Sequence, residues 1–358
     1  MATATRLPES HRVLQLESME QPLQFKTVPT LQPGPGSAVV QVLAAAVIFY
    51  SGDLYNGKRQ YPSQWFPAAP QSGGSPPPDP TQRHWRRASW FSSSDFNDAS
   101  AKLMHGEWRN STYAQYCKFP LENCIPLNET RLLGDPSARG LGYRVEDLTQ
   151  IFRLLVPYGV LDDIGLKPGE AIIIAPATSQ FSSVAVRVVL AMAAGRVIAM
   201  GRNEVAWKQL RELDGCVSTF KITGDMEADA AALRTWGLTD VFFEISPPMA
   251  AGSTHFRSGI AALRNGGRIS LMGGLPSDVS FAYEDFMVRG LSMKGTWIYT
   301  REQIDDFLRL VESGLLSLSK RGGLRVGATF GLEQWREAFE AAKVAQTDET
   351  VAIRPWEL

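Results

Sequence analysis

From about Val145 onward the chain alternates short apolar runs with amphipathic stretches, and this rhythm limits the possible folds more than any other feature. Ala171-Ile-Ile-Ile-Ala175 is continuously apolar, as a strand covered on both faces must be. Further strands are predicted at Arg196–Met200, Ser218–Ile222, Asp240–Ile245 and Gly267–Met272, with helices between them at Ser183–Ala193, Glu204–Leu213, Asp225–Trp236 and Ser253–Leu263. Asp147–Val156 carries a helical apolar stripe ahead of the first strand. Parallel neighbours need a crossover long enough to hold a helix, so this repeat predicts a doubly wound parallel sheet. The tail continues with strand Leu291–Trp297, helix Arg301–Ser313, strand Ala328–Gly331 and helix Leu332–Ala342.

The N-terminal part has a different texture. His11–Leu16, Gln24–Val28 and Ser37–Val47 read as strands of an all-β unit, separated by the turn-rich Leu31-Gln-Pro-Gly-Pro-Gly36. Residues 57–100 hold Gly73-Gly-Ser-Pro-Pro-Pro-Asp-Pro80 and Ser92-Ser-Ser94, show no strand pattern, and read as loop or disorder. Order resumes over Gly106–Tyr116 and alternates into Cys117–Pro120. A chain of 358 residues is long for one domain, so two are expected. Its 36 basic and 37 acidic residues leave a net charge of −1, which gives no electrostatic case for nucleic acid or a membrane surface. The polar Met1–Arg12 and the lack of a bilayer-length apolar run lead us to expect a cytoplasmic protein. Cys117, Cys124 and Cys216 are too few and too scattered for a disulfide framework, and the sequons at Asn110 and Asn128 carry no weight in the cytosol.

The order of parts resembles the medium-chain dehydrogenase/reductase superfamily, and more narrowly its zinc-free, alcohol-dehydrogenase-like and quinone-reductase-like fungal members. The stretches that carry the likeness are Gly140–Asp147, Leu155-Val-Pro-Tyr-Gly159, Leu166-Lys-Pro-Gly-Glu170 and Ala175-Pro-Ala-Thr178, then Val197–Asn203, Ile245-Ser-Pro-Pro248 and Leu271-Met-Gly-Gly274. It covers residues 1–60 and 106–358. The resemblance implies an α/β fold: a Rossmann doubly wound parallel sheet inserted in a shortened GroES-like β-rich domain. The implied domains are a substrate domain over 1–155 (divergent over 70–105), a dinucleotide domain over 156–300, and a return to the substrate domain over 301–358.

Three departures shape the functional expectation. Zinc members take a ligand from a thiol after the first long strand, whereas Ile48-Phe-Tyr-Ser-Gly-Asp53 has none and the only histidines are His11, His84, His105 and His255. No zinc set at workable spacing is visible, so no metal is expected. The phosphate turn Ala177-Thr-Ser-Gln-Phe-Ser-Ser183 has Ala177, Ser179 and Ser182 where a dinucleotide binder favours glycine, which admits either phosphate binding through hydroxyls or decay of the cofactor site. Over 70–105 the barrel strand pair is missing, and Trp85, Trp90 and Phe91 there could line a lid or belong to an insertion.

Within the resemblance, Ser179, Gln180, Phe181, Gly201, Arg202, Asn203, Ser246, Pro247, Gly273 and Gly274 are the candidate cofactor-binding residues. Arg202 at the end of the second Rossmann strand would pair with a 2′-phosphate and favour NADP(H). Tyr50, Asp53 and Tyr55 are the candidate catalytic residues, in that order, with packed aromatics as the alternative reading. His255 reads as structural, and His84 and His105 lie on the divergent segment. The resulting expectation is an NADPH-dependent, zinc-independent reductase of a carbonyl or activated alkene on a hydrophobic small molecule, in secondary metabolism. A redox-neutral cyclase or isomerase of pericyclase type, using the old cleft, is the alternative. A catalytically silent scaffold is the third reading. Strand Leu291–Trp297, through which family members pair subunits, implies a homodimer.

Overall fold

The computed structural model describes residues 7–16, 21–56, 58, 112–276 and 278–356. Apart from Lys58, the loop read over 57–100 lies outside the described residues. So do the divergent stretch 70–105, with His84, Trp85, Trp90, Phe91 and His105, and the beginning of the Gly106–Tyr116 segment. By internal contacts the chain forms two units, one of residues 1–149, 326–345 and 350–358, the other of 150–325 and 346–349. The second unit therefore keeps the chain to residue 325, whereas the resemblance implies a boundary at 300, and it takes a short piece of the tail.

The first unit is β-rich. Strand β1 (Ser10–Gln15) pairs antiparallel with β2 (Gln24–Pro29). The single strand expected over Ser37–Val47 is two: β3 (Ser37–Gln41) and β4 (Ala45–Val47) belong to different sheets. The break has a tertiary cause. Val42 gives its N–H to the Gln115 carbonyl, and its own carbonyl accepts from the Trp356 indole at 2.8 Å, which turns exposed Leu43 outward. A short helix α1 (Ser51–Tyr55) follows, and β5 (Tyr116–Pro120) then pairs antiparallel with β3. Helix α2 (Glu129–Leu132), capped by the Asn128 side chain, was not foreseen.

The second unit opens with α3 (Gln150–Asp163), after which come β6 (Ala171–Ala175), α4 (Ser182–Ala191), β7 (Arg196–Gly201), α5 (Glu204–Arg211) and β8 (Val217–Lys221). The second half supplies α6 (Met226–Arg234), β9 (Thr239–Glu244), α7 (His255–Ala261), β10 (Leu263–Leu271), α8 (Tyr283–Arg289), β11 (Ser292–Gly295) and α9 (Arg301–Ser313). All six strands are parallel, in the order β11-β10-β9-β6-β7-β8. The order reverses between β6 and β9, the place where open α/β sheets collect ligands at their carboxyl ends. Every residue of β6 is buried, as its unbroken apolar run requires. On one face Ile173, Ile198, Met200, Phe242, Ile260 and Ile269 form the core. Gly259 lets α7 lie directly on that face, because a Cβ there would sit 2.9 Å from the Phe242 ring.

The chain returns to the first unit with β12 (Arg325–Gly331), α10 (Trp335–Val344) and β13 (Glu349–Arg354). Strand β13, which carried no sequence expectation, sits between β12 and β4. Its Val351 and Ile353 join Leu14, Leu23, Val47 and Phe339 in the core of that unit.

Candidate functional site

The turn between β6 and α4 folds around its serines. The Ser179 N–H donates to Ser182 Oγ at 3.0 Å, and the Ser182 N–H donates to Ser179 Oγ at 3.2 Å. The two hydroxyls are 2.8 Å apart, and Ser183 gives its N–H to the Ser179 carbonyl. The helix thus caps itself, and donors that a pyrophosphate would use are engaged within the turn. Phe181 stands edge-on to Phe152 at 5.7 Å. The Gln180 carbonyl accepts from Arg153 Nη2 at 2.9 Å. Arg153 also donates to the carbonyls of Thr347 and Glu349, and neighbouring Arg187 to those of Gly322 and Gly323. Burial pulls the Arg153 guanidinium down to about 9 and that of Arg187 to about 10, an effect opposed in both by the charge of Asp348.

At the end of β7, Gly201 is buried and Arg202 exposed. A Cβ at Gly201 would lie 2.6 Å from Thr178 Cγ2, so no acidic side chain fits there without moving that threonine. Arg202 makes no hydrogen bond or ion pair among the described residues. Asn203 is occupied differently: its side chain accepts from the Val205 and Ala206 N–H groups and caps α5.

The ends of β9 and β10 bring Ser246, Pro247, Gly273 and Gly274 together, with Gly274 donating its N–H to the Ser246 carbonyl at 2.7 Å. Between them lies Glu244, which sequence reasoning missed although an acid closing the apolar run Val241-Phe-Phe243 was a visible signal. It is 3% exposed. Its Oε1 accepts from the Ser246 N–H at 2.9 Å and lies 3.5 Å from His255 Nε2. His255 is buried between Ser246 Oγ and Ser253 Oγ, each 2.8 Å away. A Cβ at Gly273 would meet Glu244 Oε2 at 2.3 Å and the Ser246 backbone nitrogen at 2.8 Å, so the position has no room for a side chain.

In the first unit, Tyr50 is buried at the start of α1, its ring edge-on to Phe49 at 4.8 Å. Asp53 occupies the first turn of α1, half-buried; the Lys343 ammonium is raised by its hydrogen bond to Glu340 against the opposing effect of burial, and the Asp53 charge adds to the rise. Tyr55 stacks on Phe339 at 5.7 Å inside the aromatic cluster, and burial pushes its phenol up to about 12. Tyr113 is raised further by burial, donating to the Ala46 carbonyl with Ser51 Oγ 3.4 Å away. Such phenols hold their protons firmly and make reluctant acids.

A dinucleotide meets these residues unevenly. At the end of β7 a 2′-phosphate would meet the Arg202 guanidinium, unpaired among the described residues, beside a residue without a side chain. At the pyrophosphate the small Ala177, Ser179 and Ser182 leave volume, but the serine pair must open before its hydroxyls and the helix N–H groups can turn outward. Among the described residues no group of three or more His, Cys, Asp or Glu side chains is placed to hold a metal ion, and no helix is long and apolar enough to cross a membrane. Cys117, Cys124 and Cys216 form no disulfide among the described residues.

The family model described as zinc-binding dehydrogenase matches residues 182–313. L-threonine 3-dehydrogenase of Klebsiella pneumoniae subsp. pneumoniae is 30% identical over 118 residues, 32% of this chain and 32% of that protein, so the match spans about a third of the relative's length. Two solved structures share the fold over nearly the whole chain. The 2R,3R-butanediol dehydrogenase from Bacillus subtilis superposes with a TM-score of 0.68 at 14% identity, over 97% of this chain and 99% of its own. Acetophenone reductase from Geotrichum candidum, solved in complex with NAD, gives 0.62 at 18% identity, over 98% of each chain.

Proposed function

From the premise that this chain has the fold of the medium-chain dehydrogenase/reductase superfamily, we propose that it is an NADPH-dependent, zinc-independent oxidoreductase. Its substrate is a carbonyl or activated alkene on a hydrophobic small molecule, of the kind met in secondary metabolism. One observation supports the choice of cofactor above the others: Arg202 is exposed and unpaired among the described residues, beside a Gly201 whose side-chain space Thr178 already fills. A planar guanidinium matches a phosphate, whereas an adenosine ribose calls for an acid that this strand end cannot hold.

On this reading Arg202 and Asn203 hold the adenosine end, with Gly201 giving clearance. Ser179, Gln180 and Phe181 form the phosphate turn, and Ser246, Pro247, Gly273 and Gly274 border the nicotinamide. NADPH supplies a hydride. Tyr50 is the proton donor, either to the oxygen of a reduced carbonyl or to the enolate left by alkene reduction, with Asp53 near it on α1. Tyr55, locked ring on ring against Phe339, is the weakest of the three candidates. Zinc independence rests on residue types: Ile48–Asp53 offers no thiol, and the described histidines His11 and His255 are each engaged in buried hydrogen bonds. We further read the protein as a cytosolic homodimer. Strand β11 is an edge of the sheet, and Tyr283, Met287, Val288 and Trp297 are exposed around it.

The serine pair that closes the turn supports a second reading, a redox-neutral cyclase or isomerase in which the dinucleotide is no longer used. Titration with NADPH and NADH, followed by nicotinamide fluorescence and calorimetry, separates the two. Micromolar NADPH binding that weakens about tenfold or more in Arg202→Ala, with NADH little changed, supports the reductase. Absence of binding at about 1 mM of either cofactor sinks it and favours the second reading.

A further inference from the structure

A cavity of about 330 Å³ opens on the α7 face of the parallel sheet, at the carboxyl ends of β9 and β10 and beside the start of β11. Its walls are apolar: Phe256 from α7, Leu271 from β10, Met293 from β11, and Leu275, Val279 and Phe281 from the segment that leads into α8. The charged group on its lining is Glu244. Both hydrogen-bonding contacts of this carboxylate fall on Oε1, from the Ser246 N–H and beside His255 Nε2, while Oε2 accepts nothing among the described residues. The glycine at 273, itself part of the lining, leaves the space in which Oε2 lies.

A carboxylate 3% exposed is poorly solvated, so an oxygen of it that faces a cavity favours a donor or a counter-charge there. Here one oxygen is served from within and the other faces an apolar chamber. The occupant that completes it brings a donor head and an apolar body. A cation satisfies the charge as well as the hydrogen bond, and the rings of Phe256 and Phe281 favour a cationic head over a neutral one. We propose that this cavity is a binding site for a small hydrophobic ammonium ion, an arylalkyl or alkyl primary amine, with Glu244 as its counter-charge. The site lies within the second unit and shares only Gly273 with the residues assigned above to the dinucleotide. It stands whether or not a nicotinamide cofactor is used.

The test is calorimetric titration of the full-length protein, without cofactor, using 2-phenylethylamine and its neutral counterpart 2-phenylethanol. The amine should bind saturably and about tenfold or more tighter than the alcohol, and Glu244→Gln should erase that preference. Since Glu244 also receives the Ser246 N–H, two rim variants guard against misfolding. Phe281 and Val279 are 44% and 38% exposed. Phe281→Ala should weaken amine binding several-fold, and Val279→Lys should weaken it through charge repulsion while sparing the alcohol. Equal affinity for amine and alcohol, no saturation by about 10 mM amine, or amine affinity untouched by both rim variants overturns the proposal.

Discussion

At Gly273 the place of a side chain is taken by Glu244 Oε2, and at Gly201 by Thr178. Both glycines sit where the resemblance calls for close cofactor approach, yet the first constraint on each is an internal neighbour. Gly273→Ala should therefore destabilise the protein by about 1–3 kcal/mol through overpacking alone. Part of that loss should be regained when Glu244→Ala is added, the rest remaining because the Ser246 backbone nitrogen lies 2.8 Å from the same Cβ, and a double-mutant cycle from denaturant midpoints reads the coupling. Full additivity would show that the alanine clashes with something else. A second consequence concerns alkaline pH. The Tyr55 phenol is held up to about 12, whereas an unfolded tyrosine ionises near its ordinary value of 10.0. Its folded pKa is the higher, so the stabilisation is complete below pH 10 and is lost as pH rises from 10 toward 12. Tyr55→Phe should flatten the fall in stability across that window by about 1–2 kcal/mol, as measured by urea unfolding at stepped pH.

Among the elements, α4 shows how a turn can keep its shape while changing its chemistry. Its serines replace glycines and close the helix end on themselves, so Ser182→Ala should cost about 1 kcal/mol of stability. Ser179→Gly should remove one side of the pair and strengthen dinucleotide binding several-fold, since the freed N–H groups can face a phosphate; unchanged or weaker affinity would count against that role for the turn. The βα units were legible in the sequence because each strand is a short apolar run and each helix keeps its apolar stripe, signals that a single segment carries. The break between β3 and β4 was not, because it depends on Val42 meeting Gln115 and Trp356, distant partners that no local pattern announces. Much the same holds at the candidate site. Arg202 and the serines could be picked out by their place after a strand, whereas the pairing of Glu244 with Gly273 joins the ends of two strands and has no spacing rule behind it. Tyr55 was legible as a tyrosine but not as the partner of Phe339.

For the whole molecule, the exposed residues around β11 give the assembly prediction. Met287 and Val288 are 65% and 68% exposed on α8, next to that edge. Sedimentation should show a dimer for the parent chain and a monomer for Met287→Glu combined with Val288→Glu; a parent that sediments as a monomer would remove the homodimer from the reading. The contact units carry a further consequence. Residues 346–349 belong to the second unit although the chain on either side belongs to the first. Thr347 and Glu349 offer their carbonyls to Arg153, Thr347 accepts from Ser183 Oγ, and Asp348 from Gln209. A fragment cut as 150–325 would strand the buried Arg153 guanidinium short of acceptors and take the Asp348 charge away from Arg187, and it should not fold by itself. In genetic terms the second unit is not a cassette. Recombination at one pair of breakpoints cannot transplant it, and any exchange with a distant relative must carry four residues of the tail along or rebuild their acceptors inside the unit.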